Sequence, residues 1–231
     1  MNASLPYRNR VAAGRALGQQ LKISHRWRNP LVLALPRGGV PVAAEVASAL
    51  DCDFDVLVVR KIGLPWQPEL AMGAIASGGT CIRNAPLIRA AGVTDDEFLH
   101  AAHAEREELR RRERRYRGSR PLPAMAGRTV ILVDDGLATG STMQAAIAAL
   151  RSFHPAEVIV AAPVGAADTV TMLEALAEEV VCIATPEPFH AVGAYYDDFS
   201  PTRDDEVESI IAKFFAKKSQ KMLAGAPYHE A

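Results

Sequence analysis

Asp134 and Asp135 stand directly after the apolar run Val130, Ile131, Leu132 and Val133. Gly136 and Gly140 follow, with the hydroxyls of Thr139, Ser141 and Thr142 around the second glycine, and then an alanine-rich stretch of helical character. The apolar run reads as a short buried strand. Glycines let the backbone turn tightly and approach a ligand. The free N–H groups that open the next helix form a natural phosphate site. One half of the stretch therefore suits a phosphate, and the other needs a ligand that tolerates two adjacent carboxylates. A sugar diol meets that need by donating hydrogen bonds, and a metal ion meets it too. The implied ligand is a phosphorylated sugar, with magnesium as the candidate ion.

A second anionic site is written into the loop Leu35-Pro-Arg-Gly-Gly-Val-Pro41. Arg37 can hold a phosphate through two parallel hydrogen bonds, while Gly38 and Gly39 free two backbone N–H groups. Arg60 and Lys61, read as the end of the next strand, add two positive charges. A sugar with a phosphate at one end and a pyrophosphate at the other would fill both sites.

The elements that must position these residues alternate. Asn9 is expected to cap a helix running to about Leu21. Leu31–Leu35 reads as a strand, the stretch from Val42 to Leu50 as a helix, and Phe54–Val59 as a second strand. A Gly- and Pro-rich segment follows, with candidate hairpin strands at Ala71–Ala76 and Thr80–Arg83. Thr94 and Glu97 form a capping box ahead of a helix reaching about Arg117, in which glutamates interleave with arginines. After the acid motif come a helix at Gln144–Phe153, a strand at Glu157–Pro163, a helix at Thr169–Ala177, a strand at Val180–Ala184 and a terminal helix at Glu206–Ala216. The polar tail from Lys217 is expected to fray. Such alternation points to an α/β fold with a mostly parallel sheet flanked by helices. Ligands then bind beyond the carboxyl ends of the strands, which gathers the loops after Leu35, Val59 and Val133.

With 231 residues, 49% of them hydrophobic and 23% charged, the chain has ordinary globular composition, and its net charge of -1 favours neither nucleic acid nor a membrane surface as partner. No apolar run is long enough to span a bilayer. The opening residues lack the apolar core of a signal peptide, so a cytoplasmic location is expected. Cys52, Cys81 and Cys182 are too sparse for a disulfide framework and read as reduced thiols in or near the core. His25, His100, His103 and His154 show no metal-binding spacing. The arginine-rich helix is balanced by its glutamates; it reads as a solvated face or a subunit contact, which leaves a homodimer open.

The stretch VILVDDGLATGST resembles the phosphoribosyl pyrophosphate (PRPP) motif of the type I phosphoribosyltransferases. LPRGGVPVA is similar to the pyrophosphate loop of that family, and VVRKIGLP to the stretch after the next strand in its adenine-type members. Together with PELAMGAIASGG and HAVGAYYDDFSP, the pattern most resembles a bacterial group known only as predicted phosphoribosyltransferases, over roughly Asn9 to Ile211. The resemblance implies that Asp134 and Asp135 bind the ribose hydroxyls and meet Mg2+ mostly through substrate and water. It implies that Gly136, Ala138, Thr139, Gly140, Ser141 and Thr142 cradle the 5-phosphate. It places Arg37, Gly38 and Gly39 at the pyrophosphate, with Lys61 approaching from a flap and Arg60 nearby, and implies an unusual peptide geometry about Arg37–Gly38. Asp134, Asp135, Lys61 and Arg37 would carry the chemistry.

The implied organisation is one domain over 1–231, with a flap insertion at about 61–127 and a small hood at about 186–201. The implied reaction moves the phosphoribosyl group from Mg-PRPP to a small nitrogenous acceptor, within nucleotide metabolism. Hood candidates for stacking on the acceptor are Phe189, Tyr195, Tyr196 and Phe199, with Asp197 and Asp198 as polar partners. The rival expectation is a regulator that binds PRPP or a nucleotide with little catalysis.

Overall fold

The computed structural model describes residues 5–24 and 27–224; His25 and the first four residues lie outside them. Helix α1 spans Arg10–Ser24, and the Asn9 carboxamide accepts from the Ala12 N–H at 3.0 Å, the cap its position foretold. A five-stranded parallel sheet follows in the order β2-β1-β6-β7-β8, built from β2 (Asp53–Val56), β1 (Leu31–Ala34), β6 (Thr129–Val133), β7 (Glu157–Val164) and β8 (Glu179–Ala184). Successive side chains alternate across it. Leu31 and Leu33 of β1 join Val130 and Leu132 of β6 on one face, under α5 (Ser141–Arg151) and α6 (Ala167–Glu174). Val32 and Ala34 join Ile131 and Val133 on the other, under α1, α2 (Gly39–Leu50) and α7 (Asp204–Ala224). Burial of both faces explains why β1 and β6 read as continuous apolar runs. α1 meets α2 closely because Gly14 and Gly18 face it: a Cβ on Gly14 would lie 2.7 Å from the Val42 carbonyl oxygen.

Several expectations change. Phe54–Val59 is not one strand. β2 ends at Val56, and the chain passes into β3 (Val59–Leu64), the first strand of a separate antiparallel sheet with β4 (Gln67–Ala76) and β5 (Cys81–Arg83). The expected two-stranded hairpin is thus three-stranded, and Arg60 and Lys61 lie inside a strand instead of at the end of one. A short helix, α3 (Ala85–Ala91), precedes α4 (Asp95–Arg117). Its signal was present in Asn84-Ala-Pro86: the Asn84 side chain accepts from the Leu87 N–H at 3.2 Å. The terminal helix does not fray at Lys217. α7 continues to Ala224, with Lys218 paired to Asp53 and Lys221 Nζ 2.6 Å from Asp51.

The capping box of α4 forms as expected, with Glu97 accepting from the Thr94 N–H at 2.8 Å and Thr94 Oγ1 from the Glu97 N–H at 3.2 Å. The end of α4 is anchored by Arg117. Its guanidinium donates to Asp55 Oδ2 at 3.3 Å and to the Val56 carbonyl at 2.6 Å, with both charged side chains nearly sealed from solvent. Cys52 is buried and Cys182 half-buried, and burial pushes their thiols up to about 12 and about 11; Cys81 is exposed, against expectation. No helix among the described residues is long and apolar enough to cross a membrane.

Candidate functional site

The parallel register sets β1 and β6 side by side, Ala34 opposite Val133, so the loops that leave them meet. Contact is close enough to require glycine. A Cβ on Gly38 would fall 2.0 Å from Asp135 Oδ2, and one on Gly39 would fall 2.6 Å from the Val133 carbonyl oxygen. The Pro36–Arg37 peptide within this loop is cis, one bond before the place the resemblance implied. On the far side of the acids, Gly136 faces Val192 of the short 3-10 helix Val192–Tyr195, where a Cβ would come within 2.4 Å. The acid loop is thus held between the glycine loop and the hood segment.

Beyond the acids the chain turns through Gly140, whose φ of +69 a side chain would resist, and enters α5 at Ser141. The Ala138 carbonyl accepts from the Thr169 hydroxyl, fixing the turn to α6. The Thr139 and Ser141 hydroxyls lie 3.3 Å apart at the helix start. Unsatisfied N–H groups and the positive end of the helix dipole converge there. Lys61 Nζ stands 3.5 Å from Ser141 Oγ and brings a cation from β3 to the same spot.

Neighbouring strand residues point to opposite faces, and this separates the two cations of β3. Lys61 faces α5, whereas Arg60 turns to α4 and pairs with Glu105 at 2.7 Å. Arg37 is half-exposed, and its guanidinium lies 3.6 Å from Asp204 at the start of α7. Phe189 stacks on Tyr195, centroids 5.4 Å apart, so one ring face of each is already covered. Tyr196 is buried and donates its hydroxyl to the Asp135 carbonyl at 2.6 Å.

Arg10 escaped the sequence reading. It is buried at the first turn of α1, donates Nε–H to Asp135 Oδ2 at 2.7 Å and a second N–H to the Ser200 carbonyl at 2.8 Å, and covers the Phe199 ring at 3.9 Å. One guanidinium therefore ties helix, acid loop and hood together. Nothing in its neighbourhood, Asn-Arg-Val, distinguishes it from a surface arginine.

Burial, then the neighbouring Asp135 carboxylate, raises the Asp134 pKa well above its usual range. Burial also raises that of Asp135, with Arg10 pulling the other way. Two crowded carboxylates and one guanidinium leave a surplus of negative potential, which a cationic or hydrogen-bond-donating ligand relieves. Asp134 Oδ1 accepts the Asp135 N–H at 2.9 Å, and Asp135 Oδ2 is taken by Arg10. One oxygen of each is left without a partner among the described residues.

A parallel sheet whose carboxyl ends gather a carboxylate pair, a glycine loop and a helix N-terminus has the architecture of the type I phosphoribosyltransferase fold. The chain belongs to the phosphoribosyl transferase domain family, whose model matches residues 7–199. Two Mycobacterium tuberculosis proteins, from strains CDC 1551 and H37Rv and each named "putative phosphoribosyl transferase", are 43% identical over 203 residues, covering 88% of this chain. The chain spans about half of their length, 46%. The crystal structure of TT1426 from Thermus thermophilus is 42% identical and superposes with a TM-score of 0.81, covering 91% of this chain and 99% of that one. The AQ2163 protein from Aquifex aeolicus, 11% identical with a TM-score of 0.50 over 84% of this chain and 82% of its own, shares the fold alone.

Proposed function

We propose that this chain, as a single domain, transfers the phosphoribosyl group of magnesium-bound PRPP to a small nitrogenous acceptor and releases pyrophosphate. The observation that carries the reading is the adjacency of Asp134 and Asp135 to the N-terminus of α5, with Lys61 Nζ on Ser141. In this reading the free oxygens of the two acids accept the ribose hydroxyls. The turn from Gly136 to Thr142 holds the 5-phosphate. The 37–39 loop and Lys61 receive the pyrophosphate, and Arg60 sits behind them on Glu105. As the anomeric carbon loses its leaving group, the acid pair stabilises the positive charge growing on the ribose ring. Removing one such preorganised group typically costs ~10²–10³ in rate.

No group of three or more His, Cys, Asp or Glu that could enclose a metal exists among the described residues. Two carboxylates with one free oxygen each fit an ion held mainly by substrate oxygens and water, so Asp134 and Asp135 would be its protein contacts. When bound, magnesium offsets the charge of the departing pyrophosphate.

Arg37 supports the rival reading of a PRPP-binding regulator, because its guanidinium faces Asp204 instead of an open anion site. One experiment separates the two. Pyrophosphate release from PRPP is followed across a panel of bases, beside PRPP-dependent thermal stabilisation of the protein and of Asp134→Asn/Asp135→Asn. Release with one base, and loss of the stabilisation in the variant, are expected. Tight PRPP binding without release favours the regulator, and an unchanged thermal shift in the variant removes the diol assignment.

A further inference from the structure

A groove of about 710 Å³ opens between α4, the Gly78–Gly79 turn after β4 and the 117–122 stretch that leaves α4. It shares no residue with the PRPP loops. Five arginines line it (Arg106, Arg110, Arg114, Arg117 and Arg120) against one acid, Glu113. Arg106, Arg110 and Arg114 recur every fourth residue and so share one helix face, an arrangement of like charges that destabilises a helix.

The arginines of α4 other than Arg106 and Arg114 are ion-paired. Arg110 pairs with Glu107, Arg111 and Arg112 with Glu108, and Arg115 with Asp204 and Glu208. Arg117 and Arg120 share the buried Asp55, and Arg117 also meets Glu113. Arg106 and Arg114 form no ion pair among the described residues. The groove therefore holds two uncompensated guanidinium groups beside three ion-paired ones.

The Gly78–Gly79 turn and Leu122 complete the groove, and Ile75 and Leu109 lie buried beneath it. A Cβ on Gly79 would meet nothing within 4 Å, so open space lies over that backbone. Uncompensated guanidiniums select phosphate oxygens. The volume falls within the ~300–1,000 Å³ usual for small-molecule sites.

We propose that this groove binds an organic polyphosphate, of which a nucleoside triphosphate is the test case, at a site separate from the PRPP loops. The two are linked through one strand pair: Ile75, beneath the groove, is the register partner of Arg60, next to Lys61.

The test is equilibrium dialysis of the full chain with ATP and GTP, using adenosine as the phosphate-free control. Wild type is compared with Arg106→Ala/Arg114→Ala and with Asp134→Asn/Asp135→Asn. Arg114→Gln, at an exposed position, gives the same readout with least disturbance of the fold. We expect at least one triphosphate to bind wild type and the aspartate variant equally, with affinity falling about tenfold or more in either arginine variant. Adenosine should bind far more weakly than the triphosphates. Equal binding to wild type and the arginine variants overturns the site, as does the absence of any triphosphate binding. Loss of binding in the aspartate variant assigns the nucleotide to the PRPP loops and refutes the groove. Arginine variants that turn a sedimenting dimer into a monomer, with triphosphate binding unchanged, make the face a subunit contact. A single-stranded oligonucleotide that displaces ATP at far lower concentration replaces the small polyphosphate with nucleic acid. Because the aspartate variant is tested separately, the groove and the PRPP reading fail independently.

Discussion

Replacing Arg10 with Met keeps most of the side-chain stem and deletes the guanidinium. In the native protein Nε lies 2.7 Å from Asp135 Oδ2, with the two side chains only 11% and 14% exposed. Removing one partner of a buried pair costs about 3–5 kcal/mol, because the remaining charge stays buried and alone. The residual exposure points to the low end, about 3 kcal/mol, with the lost bond to the Ser200 carbonyl included in that figure. For a chain of this size such a loss lowers Tm by roughly 6–12 °C. The pH dependence is the sharper test. Asp135 already has a raised pKa from burial, opposed by Arg10; without Arg10 it rises further. A buried carboxylate with a raised pKa holds a proton that the unfolded chain has released. Its penalty is therefore absent below the unfolded pKa and grows as pH climbs toward the folded one. Urea denaturation from about pH 4 to pH 8 should show the deficit of Arg10→Met small at the acid end and widening toward neutrality. A deficit below about 1 kcal/mol, or one that does not change with pH, would refute the buried-pair account.

If Lys61 acts on the departing pyrophosphate as proposed, Lys61→Ala should lower kcat by about a hundredfold while changing KM little; steady-state kinetics with PRPP and the accepted base decide it, and normal turnover removes Lys61 from the mechanism. Gly38→Ala places a Cβ 2.0 Å from Asp135 Oδ2, so one loop must shift. The expected stability cost is about 1–3 kcal/mol with a clear loss of PRPP-dependent thermal stabilisation, and an alanine variant that binds PRPP normally would show that the loops do not meet. Arg117→Met leaves Asp55 with only the longer Arg120 contact at 3.6 Å and should destabilise the protein by about 3 kcal/mol, the low end for a broken buried pair, in urea denaturation, with KM for PRPP unchanged.

The parallel core was legible because its strands are buried on both faces and therefore uninterrupted in apolar character: Leu31–Ala34 and Thr129–Val133 fall where the pattern places them. The acid motif was legible because strand, acids, glycines and hydroxyls are contiguous. The break after Val56 was not, since the residues from Phe54 to Val59 are almost uniformly β-forming, and only tertiary pairing assigns Val59 to a second sheet. α7 was read short because its last turns are polar; Lys218 and Lys221 fix them through acids 165 and 170 positions away. Arg10 was invisible for the same reason. A buried ion pair is recognised by its partner, and the partner is remote in sequence.

That remoteness bears on how the protein is made. Arg10 is separated from Asp135 by 125 positions and from the Ser200 carbonyl by 190. Contacts so far apart close late, because the chain between them must first surrender its freedom. During synthesis the acid loop emerges long before the segment that supplies Ser200, Phe199 and Tyr196. The carboxylates thus spend that interval without the hood that encloses them. A nascent chain stalled between Thr142 and Tyr195 carries the whole acid motif and yet lacks its environment, so ligand affinity should be acquired in one late step instead of growing with length.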